Sequence, residues 1–252
     1  MAIKNWNFNS LQDLIDTGSQ LIAECTSPWE KVPRERFILG KFIRDWLRPE
    51  ACDFPFVIED HIETSDKHCP DCVLQFANQK MIGLELVEAT LQSFRNDEVT
   101  LKNIPDNARW LHETDPVTYR TRVFHKEKIS DTGEAELILH SKMKSGPLYS
   151  KPLETLAVRI IIESIEAKTL KYYSWDKYDS SELAILVNVP NINWFYLFND
   201  TNLIVERLRT SLNETTQPKV FNQIYLIDTS RDKAQYHSSL QEVEGMYILR
   251  KR

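Results

Sequence analysis

Glycine is scarce in this chain, with six residues among 252. That scarcity leaves little room for a Gly-rich phosphate loop or a Gly-x-Ser-x-Gly nucleophile elbow, and no His-Glu-x-x-His helix occurs either. It also argues against a loop-dominated or low-complexity chain. Cysteine is equally thin: Cys25, Cys52, Cys69 and Cys72 are too few for a disulfide scaffold, so reduced thiols are expected. Long apolar runs are missing too. Met1-Ala2-Ile3-Lys4-Asn5-Trp6 leads into an amphipathic stretch, so neither a signal peptide nor a membrane span is expected, and the cytoplasm is the expected compartment. Nor is positive charge in excess. A net charge of -6 does not suit a protein that coats nucleic acid, because nonspecific phosphate binding is driven by Lys and Arg releasing counterions. Locally the balance reverses: Arg120 to Lys151 holds seven basic and four acidic residues, a net +3 that reads either as a basic face or as solvated surface.

What is present is 42% hydrophobic and 27% charged residues with a mean hydropathy of -0.41, enough to bury one large core. The expectation is one elaborated domain over residues 1–252. Residues 10–24 and 34–48 carry apolar side chains at three- and four-residue spacing, which predicts two helices, the second bracketed by Pro33 and Pro49. Three β-rich runs follow, Phe54 to Glu59, Cys72 to Ala77 and Met81 to Ala89, the last two joined by a turn at Asn78-Gln79-Lys80. Residues 95–150 are polar and broken by turn signals, the pattern of an insertion. A long helix from Leu153 to Tyr173 and a compact apolar strand from Leu183 to Val189 then predict an α/β crossover. A C-terminal elaboration over 191–252 is expected to add a helix near Asn202 to Leu212 and strands at Phe221 to Ile227 and Gly245 to Leu249.

The chemistry-bearing feature is Pro70-Asp71 with Glu85 fourteen residues later and a turn nearly midway between them. Antiparallel pairing across that turn sets Asp71 opposite roughly Glu85 to Val87. Two carboxylates held that close need a cation, and a hard divalent ion such as Mg²⁺ fits oxygen donors. Glu85 also interrupts Met81-Ile82-Gly83-Leu84-Glu85-Leu86-Val87, a run apolar enough to be buried on both faces, where a lone carboxylate is costly unless paired or metal-bound. The plainer alternative is a Glu paired with Lys or Arg.

Pro70-Asp71, Ile82-Gly83-Leu84-Glu85-Leu86-Val87-Glu88, the helix around Glu35 and the helix and strand beyond residue 152 together resemble the PD-(D/E)XK nuclease superfamily. The likeness spans about 34–90 and 152–190. It implies a restriction-endonuclease-like α/β core, a mixed sheet flanked by helices, with the insertion between the third core strand and the following helix. It further implies a nuclease hydrolysing phosphodiester bonds, with Mg (or Mn) on Asp71 and Glu85 and with nucleic acid as partner, DNA ahead of RNA. A homodimer is compatible with it, and a membrane is not expected. The family places a lysine two residues after the second acid, where this chain has Val87. Lys168, on the stripe of Ile161, Ser164 and Ile165, is the expected substitute, with Lys171 and Lys151 next in order, and Glu35 is the expected additional acid. Bland readings stand beside these: Lys168 snorkelling to solvent, Glu35 compensating a helix start, and Glu88 pointing to the face opposite Glu85.

Two competing readings remain open. A nuclease-like module without turnover, binding nucleic acid or protein, is favoured by Val87. A zinc site from Cys52, His61, Cys69 and Cys72 lacks a second Cys-x2-Cys pair, so zinc is not expected. The aromatic groups Tyr172-Tyr173 and Trp194-Phe195-Tyr196 could stack bases but read first as core.

Overall fold

A computed structural model describes residues 4–25, 30–47, 54–64, 69–90, 151–171, 175–188, 203–214, 219–227 and 238–251. The insertion expected over 95–150, Cys52, His68, Tyr172-Tyr173 and Trp194-Phe195-Tyr196 lie outside the described residues.

The chain opens with strand β1 (Lys4–Phe8) and helix α1 (Leu11–Ala23). Ser10 caps α1: its hydroxyl accepts from the Asp13 amide at 3.2 Å, while the Asp13 carboxylate accepts from the Ser10 amide at 3.1 Å. Helix α2 (Lys31–Lys41) runs on into a π-helical turn (Phe42–Trp46). Pro33 does not mark its boundary, as the sequence suggested, but sits inside the first turn, where a missing N–H costs no intrahelical bond. Helices α1 and α2 meet at Gly18 and Gly40: a Cβ on Gly18 would lie 2.6 Å from the Arg44 Cβ, and one on Gly40 would lie 2.8 Å from the Gly18 carbonyl oxygen.

Strands β2 (Phe56–Asp60), β3 (Cys72–Phe76) and β4 (Met81–Thr90) form the expected antiparallel meander. Between β3 and β4 the Asn78 side chain accepts from the Lys80 amide, and Gln79 takes a left-handed φ of 67°. After residues 91–150 come α3 (Lys151–Thr169), a 3₁₀ turn (Trp175–Lys177) and β5 (Ser180–Asn188), then α4 (Leu203–Glu214), β6 (Gln223–Ile227), β7 (Ser238–Val243) and β8 (Met246–Lys251). Helix α3 ends four residues short of the expected Tyr173, and β5 starts three residues before the expected Leu183. The polar residues Ser180, Ser181 and Glu182 join β5 because each finds a hydrogen-bond partner there. Strand β8 begins after Gly245, which lies in the turn at φ 79°.

All eight strands make one sheet in the order β1-β2-β3-β4-β5-β6-β7-β8, with β4, β5 and β6 parallel and the outer pairs antiparallel. Among the described residues the chain is an α/β protein with an eight-stranded mixed sheet and four α-helices. One sheet face packs Ile82, Leu84, Leu86, Ala184 and Leu186 with α1 and α2. The other packs Ala89, Leu183, Ile185 and Val187 with α3 and α4. Strand β5 is covered on both faces, which explains its unbroken apolar run. Among the described residues no helix is long and apolar enough to cross a membrane.

Candidate metal centre

Strand register builds the site. Cys72 pairs with Leu84 across β3 and β4, so Asp71, one residue earlier, stands level with Glu85. Alternation then puts both on the α3 face, with Val73 on one strand and Gly83 and Val87 on the other. The Asp71 amide donates to Glu85 Oε1 at 3.3 Å, and the Leu86 amide donates to Asp71 Oδ2 at 2.8 Å. Each carboxylate is therefore oriented by the other's strand. Glu85 is fully buried and Asp71 nearly so.

Helix α3 supplies the countercharge. Ala157, Ile161, Ile165 and Lys168 recur at helical spacing on its buried stripe, and the stripe ends at the two acids. Lys168 Nζ donates to Asp71 Oδ2 at 2.8 Å and also to Glu85 Oε2. Lys171, just past the helix end, donates to Glu85 Oε2 at 3.3 Å with its side chain 41% exposed. The spacing of three residues from Lys168 was the available signal for Lys171, which the sequence ranked only as a substitute.

Burial and pairing divide the four groups. Burial alone would raise the Asp71 carboxyl, but the Lys168 charge and hydrogen bond, with the Leu86 amide, hold it below the usual carboxylate range. Burial and then the negative Asp71 push Glu85 up, more than the two lysines pull it down. Lys168 is desolvated, yet Asp71 and Glu85 together raise its ammonium above the ordinary lysine value. Lys171 goes the other way: burial, with Lys168 as a like charge, outweighs Glu85 and lowers it.

Glu35 lies on α2, across the sheet, with only 6% of its surface exposed. Its Oε1 is 3.7 Å from the exposed Lys31 Nζ, and its Oε2 is buried without a hydrogen-bond partner among the described residues. Burial and then the negative charge of Asp71 raise its carboxyl to about 7, against the pull of Lys31, Lys168 and Arg34. It thus feels the charge of Asp71 while making no hydrogen bond or ion pair with Asp71 or Glu85 among the described residues. Glu88 faces the opposite side, where Arg34 Nε lies 3.1 Å from its Oε2 and Asn188 donates to its Oε1.

The donor set can be tested against a divalent ion. Two carboxylate oxygens, Asp71 Oδ2 and Glu85 Oε2, already converge on one cationic point, the Lys168 nitrogen, and both are hard oxygen donors of the kind Mg²⁺ and Mn²⁺ prefer. They fit such an ion to the extent of two protein ligands. Among the described residues no group of three His, Cys, Asp or Glu side chains is placed to hold a metal. Mg²⁺ ordinarily keeps several waters and takes one or two carboxylates plus substrate phosphate, so two suffice for that ion. Cys72 is fully buried, and burial, reinforced by Asp60, Asp71, Glu85 and Glu35, raises its thiol well above the ordinary range.

Comparison of the chain with family models, curated proteins and solved structures returned no match.

Proposed function

We propose that the chain is a metal-dependent phosphodiesterase acting on nucleic acid, built on a divergent PD-(D/E)XK nuclease scaffold. The observation that carries this reading is the convergence of two buried carboxylates from adjacent strands on one cation-binding point beside two lysines. The order helix, three-stranded antiparallel meander, helix, parallel strand supports it as well.

In this reading Asp71 and Glu85 hold Mg²⁺ or Mn²⁺, which supplies Lewis-acid polarisation of a phosphoryl oxygen and a lowered water pKa. Asp71 stays deprotonated because Lys168 and the Leu86 amide favour its charged form. The Leu86 amide, fixed in the β4 ladder, sets its carboxylate orientation without costing side-chain entropy. Lys168 provides a point charge for the phosphoryl oxygens as negative charge builds on them, the task that a lysine at the Val87 position would otherwise perform. Glu35, whose Oε2 has no hydrogen-bond partner among the described residues, would act from α2 as an outer acid through its charge on Asp71.

The test is incubation of the protein with plasmid, single-stranded DNA and RNA in the presence of Mg²⁺, Mn²⁺ or EDTA. Strand scission that disappears with chelator, and falls at least about a hundredfold in Asp71→Asn, is the expected result. Scission that persists in EDTA and in Asp71→Asn would come from elsewhere and refute the assignment.

A second reading has its own observation. Lys168 and Lys171 balance the charges of Asp71 and Glu85 without any metal, which is also how a nuclease-like binding module without turnover would keep two acids buried. Such a module would bind nucleic acid or protein with no scission under any metal condition.

A further inference from the structure

We infer that Lys168 is a displaceable counterion: its ammonium occupies the metal's seat in the resting protein and must swing out before a divalent cation binds. This rests on the metal reading above and adds a regulation to it. Lys168 Nζ lies within hydrogen-bond distance of Asp71 Oδ2 and of Glu85 Oε2, the two oxygens that would hold the metal. An ammonium and a divalent ion cannot share those oxygens from one point, because both charges are positive and the site is desolvated. Metal entry and the seated ammonium are mutually exclusive.

The surroundings allow the ammonium to leave. Lys168 sits in the last turn of α3, which ends at Thr169, and Leu170 and Lys171 directly beyond it are 78% exposed and, in its side chain, 41% exposed. Solvent therefore begins within one turn of the lysine, and a four-carbon stem can carry its charge that far. Lys171 already bonds Glu85 Oε2 from the solvent side, marking a place where an ammonium is tolerated next to the site but off its centre. Displaced in that direction, Lys168 meets the incoming phosphate instead of the carboxylates, so one movement both admits the metal and positions the cation for the substrate.

Two measurements test this. Mn²⁺ titration by calorimetry, in mildly alkaline buffer so that unpaired carboxylates stay ionised, compares the wild type with Lys168→Gln. Removal of the competing charge is expected to tighten Mn²⁺ binding by about tenfold or more. A lysine acting only as a companion of the bound metal would leave affinity unchanged or weaken it, and that result overturns the proposal. Reductive methylation of the wild type, read by mass spectrometry, needs no variant and decides alone if Lys168→Gln fails to fold. Saturating Mn²⁺ should raise labelling of Lys168 severalfold while the exposed Lys4 is unchanged; labelling insensitive to bound Mn²⁺ contradicts displacement. If neither protein binds Mn²⁺, the metal reading itself fails, a different outcome from binding without competition.

Discussion

A carboxylate removed from water must be protonated, paired or ligated, and the buried carboxylates of this constellation take different solutions. Asp71 is paired and kept ionised; Glu35 is driven toward its neutral form by burial first and by the like charge of Asp71 second, with no donor to its Oε2 among the described residues. Folding raises Glu35 from the ordinary 4.5 to about 7, so the folded chain holds a proton that the unfolded chain has released in that window. Its stabilising contribution is full below the unfolded value and disappears as pH climbs through the folded one. The shift corresponds to roughly 3 kcal/mol at neutral pH and above. Glu35→Gln should therefore match the wild type in urea denaturation near about pH 4 and exceed it by roughly 1–3 kcal/mol above about pH 7. Equal stabilities at both ends of that range would mean that Glu35 is better solvated or paired than its burial indicates. Asp71 works in the opposite direction: its lowered carboxyl stabilises the fold above the unfolded value and that contribution fades as the solution is acidified through the folded one.

At the scale of elements, the α1–α2 contact is closed by absent side chains. Gly18 and Gly40 let two backbones approach where any Cβ would touch a carbonyl or the Arg44 stem. Gly18→Ala and Gly40→Ala should each destabilise the fold by about 1–3 kcal/mol, since the intruding methyl meets backbone that is held by two packed helices. Thermal or urea unfolding of the two variants measures it, and a neutral or stabilising alanine would show that the helices can slide apart cheaply. Other elements were legible in the sequence to differing degrees. The β3–β4 turn and the Asp71–Glu85 register follow from period-2 alternation around Asn78-Gln79-Lys80, and the Lys168 stripe follows from helical spacing. Strands β1 and β7 carried no such signal: Lys4-Asn5-Trp6-Asn7-Phe8 and Ser238-Ser239-Leu240-Gln241-Glu242-Val243 are too polar to register as strands alone, and their pairing to β2, β6 and β8 supplies the order. The π turn after Lys41 had no marker either, since Phe42, Ile43 and Leu47 preserve the apolar spacing through it.

At the scale of the molecule, the sheet positions the chemistry. Strand β5 carries the parallel centre, buried on both faces, and β4 lies between it and the antiparallel half. Glu85 is thus fixed at the junction of the two halves, with Leu183 of β5 on one side and the β3 terminus bearing Asp71 on the other. A helix crossing back over that junction must pass its last turn near the two acids, which is where Lys168 stands. The helix stripe already directed the Lys168 ammonium toward the acidic pair; that it bonds one oxygen of each acid at once depends on where α3 ends relative to the strand register. Asp71 and Glu85 are proposed to form one divalent-cation site together. Crystals soaked in Mn²⁺ and measured for anomalous scattering test it most directly: a peak bound by Asp71 Oδ2 and Glu85 Oε2 is the predicted result, and an anomalous map with no peak at these two carboxylates, at saturating Mn²⁺, would contradict it.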